Sequence, residues 1–426
     1  MFDTELLKTT LQEVADIKDI PCGLISSVVI DSRKAVKGSL FFAFRGENDD
    51  GHRYIGELLE KGVYCVGDEG DHDSEMFIKV PDVLEFLSLL AKKRRSLYRG
   101  KVIALTGSNG KTTTREFLTT FLSLSGKTVY RSWSNLNNHI GLPLVILNLP
   151  MNIDYMVLEM GMNHKGEIKK LSEIAHPDYS VITNIGSAHI GNFKSQQDLA
   201  DAKLELFEGT GGVIVADISN RYVKEWIDKN KERSNKIAVY QQDSFKSRYN
   251  EFKEYPEYLV DNLLTAAEVV KVVEGKAEKL NEVLKKSKIP EMRGETKQVG
   301  ERKFIVDCYN ANPDSMLRSI AGFYKKAIEE GDENICMVLG SMFELGELSK
   351  KMHQELVNYL KTLKLLKRAF LIGSEFEKIK HCFLNEKRVV FLGNIKDVVP
   401  LLPETGLFLL KGSRSNRLEE IFELLE

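Results

Sequence analysis

The sequence has little of what marks membrane-spanning, secreted or nucleic-acid-binding proteins. No apolar run in its 426 residues approaches the roughly 18 that a membrane-spanning helix needs. Residues 1–20 carry acids and lack an apolar centre, so we expect no secretory signal peptide. Lysine and arginine number 60 against 62 for aspartate and glutamate, and the net charge of -2 excludes a strong positive field for nucleic acid or an anionic membrane.

Cysteine is also scarce, and its spacing excludes the common metal motifs. The five cysteines are scattered, which is typical of reduced thiols in a cytosolic protein. With 42% hydrophobic and 29% charged residues, the composition is that of an ordinary globular protein. The sequence therefore predicts a cytoplasmic protein, and its length predicts about three domains.

A short apolar strand, a glycine-containing loop and a helix follow one another at residues 101–121. This order is typical of a phosphate-binding loop, in which backbone N–H groups and a helix N-terminus surround an anion. The loop contains Gly107, Ser108, Asn109, Gly110, Lys111, Thr112 and Thr113. Lys111 would reach the outer phosphates and Thr112 would hold Mg²⁺ through its hydroxyl. A plain strand-to-helix turn with a solvated lysine is the alternative, and we favour a nucleoside triphosphate site.

The block after this loop alternates strands and helices, which predicts a doubly wound α/β sheet. Glu159 ends an apolar strand predicted at residues 154–161, where a carboxylate of phosphate-loop proteins lies beside the metal. A structural salt bridge is the alternative for a buried glutamate. His189 follows another predicted strand, at the sheet edge where ligands collect, and both a metal-binding and a structural role stay open.

Lys203 lies inside the apolar stripe of a helix predicted at residues 196–207, between Leu199 and Leu206. Such a lysine commonly extends its amine to water along its apolar stem. If the amine is desolvated instead, its pKa falls, and the neutral form can capture CO₂ to become a metal-binding carbamate. Periodicity alone does not decide between the two.

Two further segments frame this block. Near the N-terminus a strand at residues 28–30 leads into Asp31-Ser32-Arg33, which predicts either a pocket for a diphosphate or sugar or a capped turn with a surface arginine. A helix at residues 83–97 ends in Lys92-Lys93-Arg94-Arg95, for which we expect a solvated face before a linker at residues 99–100.

From residue 290 onward, strands and helices alternate again. The strands are predicted at residues 303–307, 336–339, 369–372, 389–392 and 407–410, and imply a parallel sheet of dinucleotide-domain type. A helix should start at Asp314 or Ser315, after Pro313. No Gly-x-Gly-x-x-Gly follows the first strand, so a nicotinamide cofactor is not expected.

These motifs together resemble the Mur ligase family along nearly the whole chain. The similar segments are residues 31–33, 40–43, 106–113, 135–138 with 141–143, 159–168, 307–315, 340–346 and 411–414. Segments 159–168 and 307–315 are similar to the member that adds D-alanyl-D-alanine to a UDP-muramoyl tripeptide. The resemblance implies an ATP- and Mg²⁺-dependent amide ligase of peptidoglycan synthesis that forms an acyl phosphate, and we expect a monomer. Alternatives are another ligase of the superfamily, such as folylpolyglutamate synthase, or a phosphate-loop ATPase switch.

The resemblance also assigns site residues. ATP would contact the loop residues 107–113 together with Asn138, Asn262, Arg293 and Asp307. Lys111, Glu159, His189 and Lys203 would be catalytic, and Thr112, Glu159, His189 and a carbamylated Lys203 would hold the metals. The UDP-sugar and peptide would contact Ser32, Arg33, Asn137, Asn163 and His164. The C-terminal substrate side would comprise Tyr309, Asn310, Asn312, Lys411, Ser413 and Arg414.

The implied architecture is α/β with three domains. Residues 1–98 would form a small mixed α/β domain that binds the UDP-sugar. Residues 99–290 would form the ATP-binding phosphate-loop domain with a mostly parallel sheet, and residues 291–426 a Rossmann-like domain. The sequence departs from the family on the adenine side, where Asp261 and Thr265 replace a histidine and an asparagine, and at Ser341, where an aspartate is usual.

Overall fold

Three main sheets follow one another along the chain, and each is built from one continuous stretch of sequence. The computed structural model describes residues 2–14, 20–134, 136–332, 334–383 and 385–425. Helices alternate with most of the strands, so the predicted α/β class with three units is confirmed.

The N-terminal unit has a small parallel sheet. Its elements are β1 (Phe2–Asp3), α1 (Thr4–Leu11), β2 (Leu24–Ile25), β3 (Val28–Val29), β4 (Leu40–Phe42), α2 (Ile55–Glu60), β5 (Tyr64–Gly67), β6 (Phe77–Lys79) and α3 (Val83–Leu97). The parallel order is β3-β4-β5-β6, while β1 and β2 form a separate antiparallel pair. Asp82 caps α3 by accepting a bond from the Glu85 N–H at 2.8 Å, which fixes where that helix begins.

The central unit has a six-stranded parallel sheet. Its elements are β7 (Lys101–Thr106), α4 (Lys111–Leu124), β8 (Val129–Arg131), α5 (Gly141–Leu147), β9 (Tyr155–Glu159), α6 (Glu167–Ala175), β10 (Tyr179–Ile182), α7 (Gln196–Glu208), β11 (Val213–Asp217), α8 (Arg221–Lys229), β12 (Ile237–Tyr240), α9 (Glu257–Glu274) and α10 (Leu280–Lys286). The order β12-β11-β10-β7-β9-β8 reverses direction beside β7, and such a switch point opens a ligand crevice at the carboxyl ends of the strands.

The C-terminal unit has a mixed sheet. Its elements are β13 (Glu295–Val299), β14 (Arg302–Asp307), α11 (Pro313–Glu329), β15 (Ile335–Gly340), α12 (Ser349–Thr362), β16 (Leu366–Ile372), α13 (Ser374–Glu377), β17 (Val389–Leu392), β18 (Gly406–Lys411) and α14 (Ile421–Leu425). Five strands are parallel in the order β14-β18-β15-β16-β17, and β13 adds an antiparallel edge through a hairpin that the sequence did not predict. Helix α11 begins at Pro313, earlier than predicted, because Asn312 and Ser315 form a capping box.

The basic end of α3 is not the solvated face that we expected. Arg94 is buried and donates to the Leu149 carbonyl at 2.9 Å. Arg95 donates to the Ala175 and His176 carbonyls at 2.7 and 2.9 Å. Both arginines therefore attach the N-terminal unit to the central unit. In the described ranges, no helix is both long and apolar enough to cross a membrane.

The loop after β10 contacts the C-terminal unit through the main chain. The Gly191 N–H donates to the Glu344 carbonyl at 3.0 Å. A Cβ on Gly191 would lie 2.4 Å from the backbone nitrogen of Gly346, so the two loops meet with no room for a side chain. Asp314, in the first turn of α11, accepts from the Ser187 N–H and hydroxyl at 2.6 Å each.

We expect Gly191→Ala to separate these two loops, because the added Cβ would meet backbone atoms that cannot rotate away. Overpacking of this kind costs about 1–3 kcal/mol. Small-angle scattering should give a larger radius of gyration for the variant, with the secondary structure retained. The matched control is Gly322→Ala in α11, where a Cβ meets no atom within 4 Å. An unchanged radius of gyration in Gly191→Ala would contradict a tight contact.

Candidate active site

The phosphate loop lies between β7 and α4 and is fixed by the segment that follows β10. The Ser108 N–H donates to the Asn184 carbonyl and the Asn109 N–H to the Asn184 side-chain oxygen, both at 3.0 Å. Gly110 has a left-handed φ of 78°, and a Cβ there would lie 2.1 Å from the Asn262 side-chain oxygen. The loop thus needs glycine both for its turn and for the close approach of α9.

Lys111 begins α4 and folds back over this loop. Its ammonium donates to the Gly107 carbonyl at 2.8 Å. Burial lowers the pKa of Lys111, while the Glu159 carboxylate acts in the opposite direction. A desolvated cation above a curl of backbone N–H groups is suited to bind a phosphate anion.

Glu159 lies at the end of β9 and is 4% exposed. One carboxylate oxygen accepts from the Thr112 hydroxyl at 2.9 Å and from Arg115 at 3.2 Å. The other oxygen accepts from the Asn137 side chain at 2.9 Å. Arg115 also pairs with the buried Glu116 at 2.7 Å. The salt bridge that was the alternative for Glu159 is present, and it lies directly beside the proposed metal-binding hydroxyl.

Lys203 is 1% exposed, so its amine does not extend to water. Burial lowers the pKa of Lys203 well below its usual value, and the Lys111 cation lowers it further. No carboxylate of the described residues forms an ion pair with it. The amine therefore has the desolvated environment that favours the neutral form. Its carbamylation stays a prediction.

His189 lies on the loop after β10, with Nδ1 2.6 Å from Glu344 Oε2. Its backbone is left-handed, with a φ of 67°. The side chain lines the same cavity as the phosphate loop. The sheet edge has thus brought the histidine, the loop and Glu159 together, as the topology of parallel strands predicts.

The C-terminal unit extends cationic side chains into this cavity. Arg293 donates to the Thr112 hydroxyl at 3.3 Å and stacks 4.2 Å from the Tyr309 ring centroid. Lys411 pairs with Asp307 at 3.0 Å and donates to the Asn310 carbonyl at 2.9 Å. The two units therefore face one another across the phosphate loop.

The cavity between the units has a volume of about 490 Å³. Most of the residues that the sequence predicted line it: Ser108, Asn109, Gly110, Lys111, Thr112, Thr113, Asn137, Asn138, Glu159, Asn163, His189, Asn262, Arg293, Asp307, Tyr309, Asn310 and Lys411. The lining residues that sequence reasoning missed are His139, Gly161, Met162, Glu167, Asn184, Gln242, Tyr258, Ser315 and Arg318. Gly161, Met162, Glu167 and Ser315 stand in segments 159–168 and 307–315, which carry the family resemblance and could have pointed to them, whereas the others stand in no segment quoted for it.

Some predicted residues do not line the cavity, and they have local partners. Arg33 is exposed and pairs with Asp31 at 2.8 Å. Asp31 caps the short turn that contains Ser32 and Arg33, which matches the capped-turn alternative. His164 pairs with Glu167 at 3.2 Å. The Gly107 carbonyl accepts a hydrogen bond from Lys111. The side-chain amides of Asn312 and Asn109 each donate a hydrogen bond to the other. Ser413 is buried, and its neighbour Arg414 pairs with Glu419.

The asparagine-rich segment at residues 136–143 uses part of its hydrogen-bonding capacity within itself. The Asn138 side chain accepts from the Ile140 and Gly141 N–H groups at 3.2 and 2.8 Å and so caps α5. Asn135 of the same motif lies outside the described residues. On α9, Asp261 accepts from the Tyr249 hydroxyl at 2.7 Å, and burial raises the pKa of Asp261. This aspartate thus has a partner within the central unit.

The donor groups fit a Mg²⁺ ion that is shared with phosphates. Thr112 offers a hydroxyl, Glu159 a carboxylate and His189 an imidazole. In the part of the chain that the structure describes, no group of three or more His, Cys, Asp or Glu side chains could hold a metal alone. Mg²⁺ is commonly bound by one or two carboxylates together with substrate phosphates, which matches this set.

Comparison with known proteins gives a consistent family. Three family models match the chain: "Mur ligase family, catalytic domain" over residues 24–95, "Mur ligase middle domain" over residues 105–278, and "Mur ligase, glutamate ligase domain" over residues 292–414. Each match falls within one of the three sheet-containing units.

Individual relatives match along the whole chain. The UDP-N-acetylmuramoyl-tripeptide–D-alanyl-D-alanine ligase of Bacillus subtilis is 31% identical, over 93% of this chain and 92% of that protein. The protein of the same name from Borreliella burgdorferi is 31% identical, over 96% of each. Among solved structures, MurF from Acinetobacter baumannii superimposes with a TM-score of 0.84 and 25% identity, over 100% of this chain and 98% of that chain.

We expect Arg115→Met to destabilise the central unit, because it leaves Glu116 and Glu159 buried with one partner fewer. Removing one member of a buried ion pair costs roughly 3–5 kcal/mol. Both tryptophans, Trp133 and Trp226, belong to this unit, so urea unfolding followed by tryptophan fluorescence measures the effect.

The control for Arg115→Met is Arg248→Met, which removes an exposed pair with Glu251 in the same unit. Exposed pairs contribute at most about 1 kcal/mol. Equal shifts of the unfolding midpoint in the two variants would contradict the structural importance of the buried network.

Proposed function

The chain belongs to the Mur ligase family, and on this premise we propose that it joins D-alanyl-D-alanine to a UDP-N-acetylmuramoyl tripeptide at the expense of ATP. The relatives that carry this activity in their names match from end to end. The product would be a peptidoglycan precursor, released with ADP and phosphate.

One observation carries the proposal: a phosphate loop of the central unit and cations of the C-terminal unit line the same cavity. Lys111 and Thr112 come from the first, Arg293 and Lys411 from the second. A reaction that transfers a phosphoryl group to a carboxylate needs positive charge on both sides of the group in transit. Loop and cations together supply that arrangement.

The reaction divides into two steps. The tripeptide carboxylate attacks the γ-phosphorus of ATP, and the bond from that phosphorus to the β-phosphate oxygen breaks. The products of this step are ADP and an acyl phosphate on the tripeptide. The amine of D-alanyl-D-alanine then attacks the acyl carbon, phosphate leaves, and the amine loses a proton. No protein nucleophile takes part, so this chain contributes positioning and charge.

Each side chain has a place in this scheme. Lys111 and the N–H groups of the loop hold the phosphates, and Arg293 approaches them from the other unit. Thr112, Glu159 and His189 would hold Mg²⁺, which neutralises phosphate charge when bound. Lys203, as a carbamate, would add an anionic ligand. Asn138, Asn262 and Asp307 would contact the nucleotide.

The outer substrate contacts complete the proposal. Ser32, Arg33, Asn137, Asn163 and His164 would contact the UDP-sugar and peptide. The C-terminal residues Tyr309, Asn310, Asn312, Lys411, Ser413 and Arg414 would face the incoming dipeptide. The units 1–98, 99–290 and 291–426 would act as the UDP-sugar, ATP and C-terminal domains of a cytoplasmic monomer.

The test is ADP release from purified protein with ATP and Mg²⁺. We expect release only when a UDP-muramoyl tripeptide and D-alanyl-D-alanine are both present. Lys111→Ala removes charge from the transferred phosphoryl group and should lower turnover by about 10²-fold or more, with the fold retained. Near-normal turnover in that variant would contradict the phosphate-loop assignment.

The same assay separates the alternatives. A folylpolyglutamate synthase would release ADP with a folate and glutamate and would not respond to the muramoyl peptide. An ATPase switch would release ADP without any acceptor carboxylate or amine. Either outcome would replace the proposed function.

We expect Lys203→Ala to be nearly inactive, because the variant cannot form the carbamate that would supply an anionic metal ligand. Added acetate or formate should restore part of the activity by occupying the vacated anion position. Lys203→Met is the size-matched neutral control and should stay folded and inactive. Full activity in Lys203→Ala, or an unmodified ammonium in a crystal structure with both metals bound, would overturn the assignment.

A further inference from the structure

A second cavity of about 530 Å³ lies beside the cavity of the phosphate loop. The two cavities share five lining residues and so form one continuous cleft: Asn109, Asn184, Gln242, Tyr258 and Arg318. Asn109 belongs to the phosphate loop, and Asn184 holds that loop through two hydrogen bonds at 3.0 Å. A ligand whose phosphates bind the loop therefore has room to extend its other end into the second cavity.

The charges of the second cavity disfavour phosphate there. Five carboxylates line it, against three cations. Each of these cations already pairs with one of the carboxylates: Lys246 with Asp243 at 3.1 Å, Arg318 with Asp261 at 3.6 Å and Lys325 with Glu257 at 2.9 Å. An acidic wall with polar groups suits the uncharged nucleoside end of a nucleotide.

Most amide side chains of the second cavity are already used within the protein. Asn184 accepts from the Asn109 N–H at 3.0 Å and donates to the Asn109 carbonyl at 2.9 Å. The Asn109 side chain exchanges hydrogen bonds with Asn312. The Asn220 oxygen accepts from two N–H groups at the start of α8. The fourth amide, that of Gln242, forms no side-chain hydrogen bond to another described residue.

Gln242 is nevertheless fixed through its main chain. It lies two residues after β12, and its N–H donates to Asp217 Oδ1 at 2.9 Å. The same oxygen accepts from the Ser219 N–H at 2.9 Å, and Asp217 is buried at the end of β11. This carboxylate therefore holds Gln242 at the carboxyl edge of the sheet, while the side-chain amide stays free for a ligand.

We propose that Gln242 recognises the adenine base of the bound nucleotide. A glutamine amide has an acceptor and a donor side by side, and adenine offers the complementary pair. The amide oxygen accepts from the N6 amine, and the amide nitrogen donates to a ring nitrogen next to that amine. This inference rests on the proposed function, in which the phosphates of ATP bind residues 107–113.

Titration calorimetry on the full chain measures this contact without turnover. Gln242→Met keeps the length of the side chain and removes its amide, so it should bind ADP roughly 5- to 150-fold more weakly than the unaltered protein. Pyrophosphate has no base and should bind both proteins equally. The control Gln241→Met changes an exposed neighbour outside the cleft and should bind ADP as the unaltered protein does.

A change in the nucleotide tests whether Gln242 contacts the base itself. Purine riboside diphosphate lacks the N6 amine and should bind the unaltered protein roughly 3- to 10-fold more weakly than ADP. Gln242→Met should bind the two nucleotides equally, because the contact is already absent.

Two results would refute this inference and leave the proposed function intact. One is equal affinity of the unaltered protein for ADP and purine riboside diphosphate, and the other is a difference between them that persists in Gln242→Met. A parallel loss of pyrophosphate binding in Gln242→Met would also refute it, because the substitution would then act on the phosphate loop. If the unaltered protein does not bind ADP, the proposed function and this inference both fail.

Discussion

The arrangement of the site depends on a single buried carboxylate. An ionised side chain with the exposure of Glu159 costs several kcal/mol unless it is paired and hydrogen-bonded. Its donors are Thr112, Asn137 and Arg115, which belong to the start of α4, the loop after β8 and the second turn of α4. The hydrogen bonds to this one carboxylate therefore fix the phosphate loop and the asparagine-rich segment relative to β9.

Local signals in the sequence predicted much of this framework. Apolar runs located nearly all strands of the central and C-terminal sheets that carry site residues, and the Gly-x-x-Gly-Lys-Thr loop located the start of α4. The acid at the end of β9 was predictable because parallel strands end at one sheet edge. The pairing of Arg115 with this acid was not predictable, since a charged residue four positions after Lys111 on a helix is solvated in most proteins. Only tertiary packing shows that it faces Glu159.

Other differences have the same origin. Lys203 was left open between solvent and burial because the periodicity of α7 describes one apolar face. In the structure α7 packs against α6, α8 and β10, so that almost its entire second half is buried and the amine has no path to water. Arg94 and Arg95 were expected in solvent because nothing in the sequence indicates that backbone carbonyls of the central unit lie within reach of their guanidinium groups. The edge strand β13 is polar on most positions, so its pairing with β14 left no apolar signal.

The division of positive charge between the two units predicts that nucleotide binding and docking of the C-terminal unit are coupled. The central unit provides Lys111, and the C-terminal unit brings Arg293 close enough to lower the pKa of Lys111 beyond the effect of burial. Two cations that approach one another in a partly desolvated cavity repel, and an anion between them removes that repulsion. The phosphates of ATP are such an anion. We therefore expect ATP to bind the docked arrangement more tightly, and by linkage to stabilise docking by the same factor.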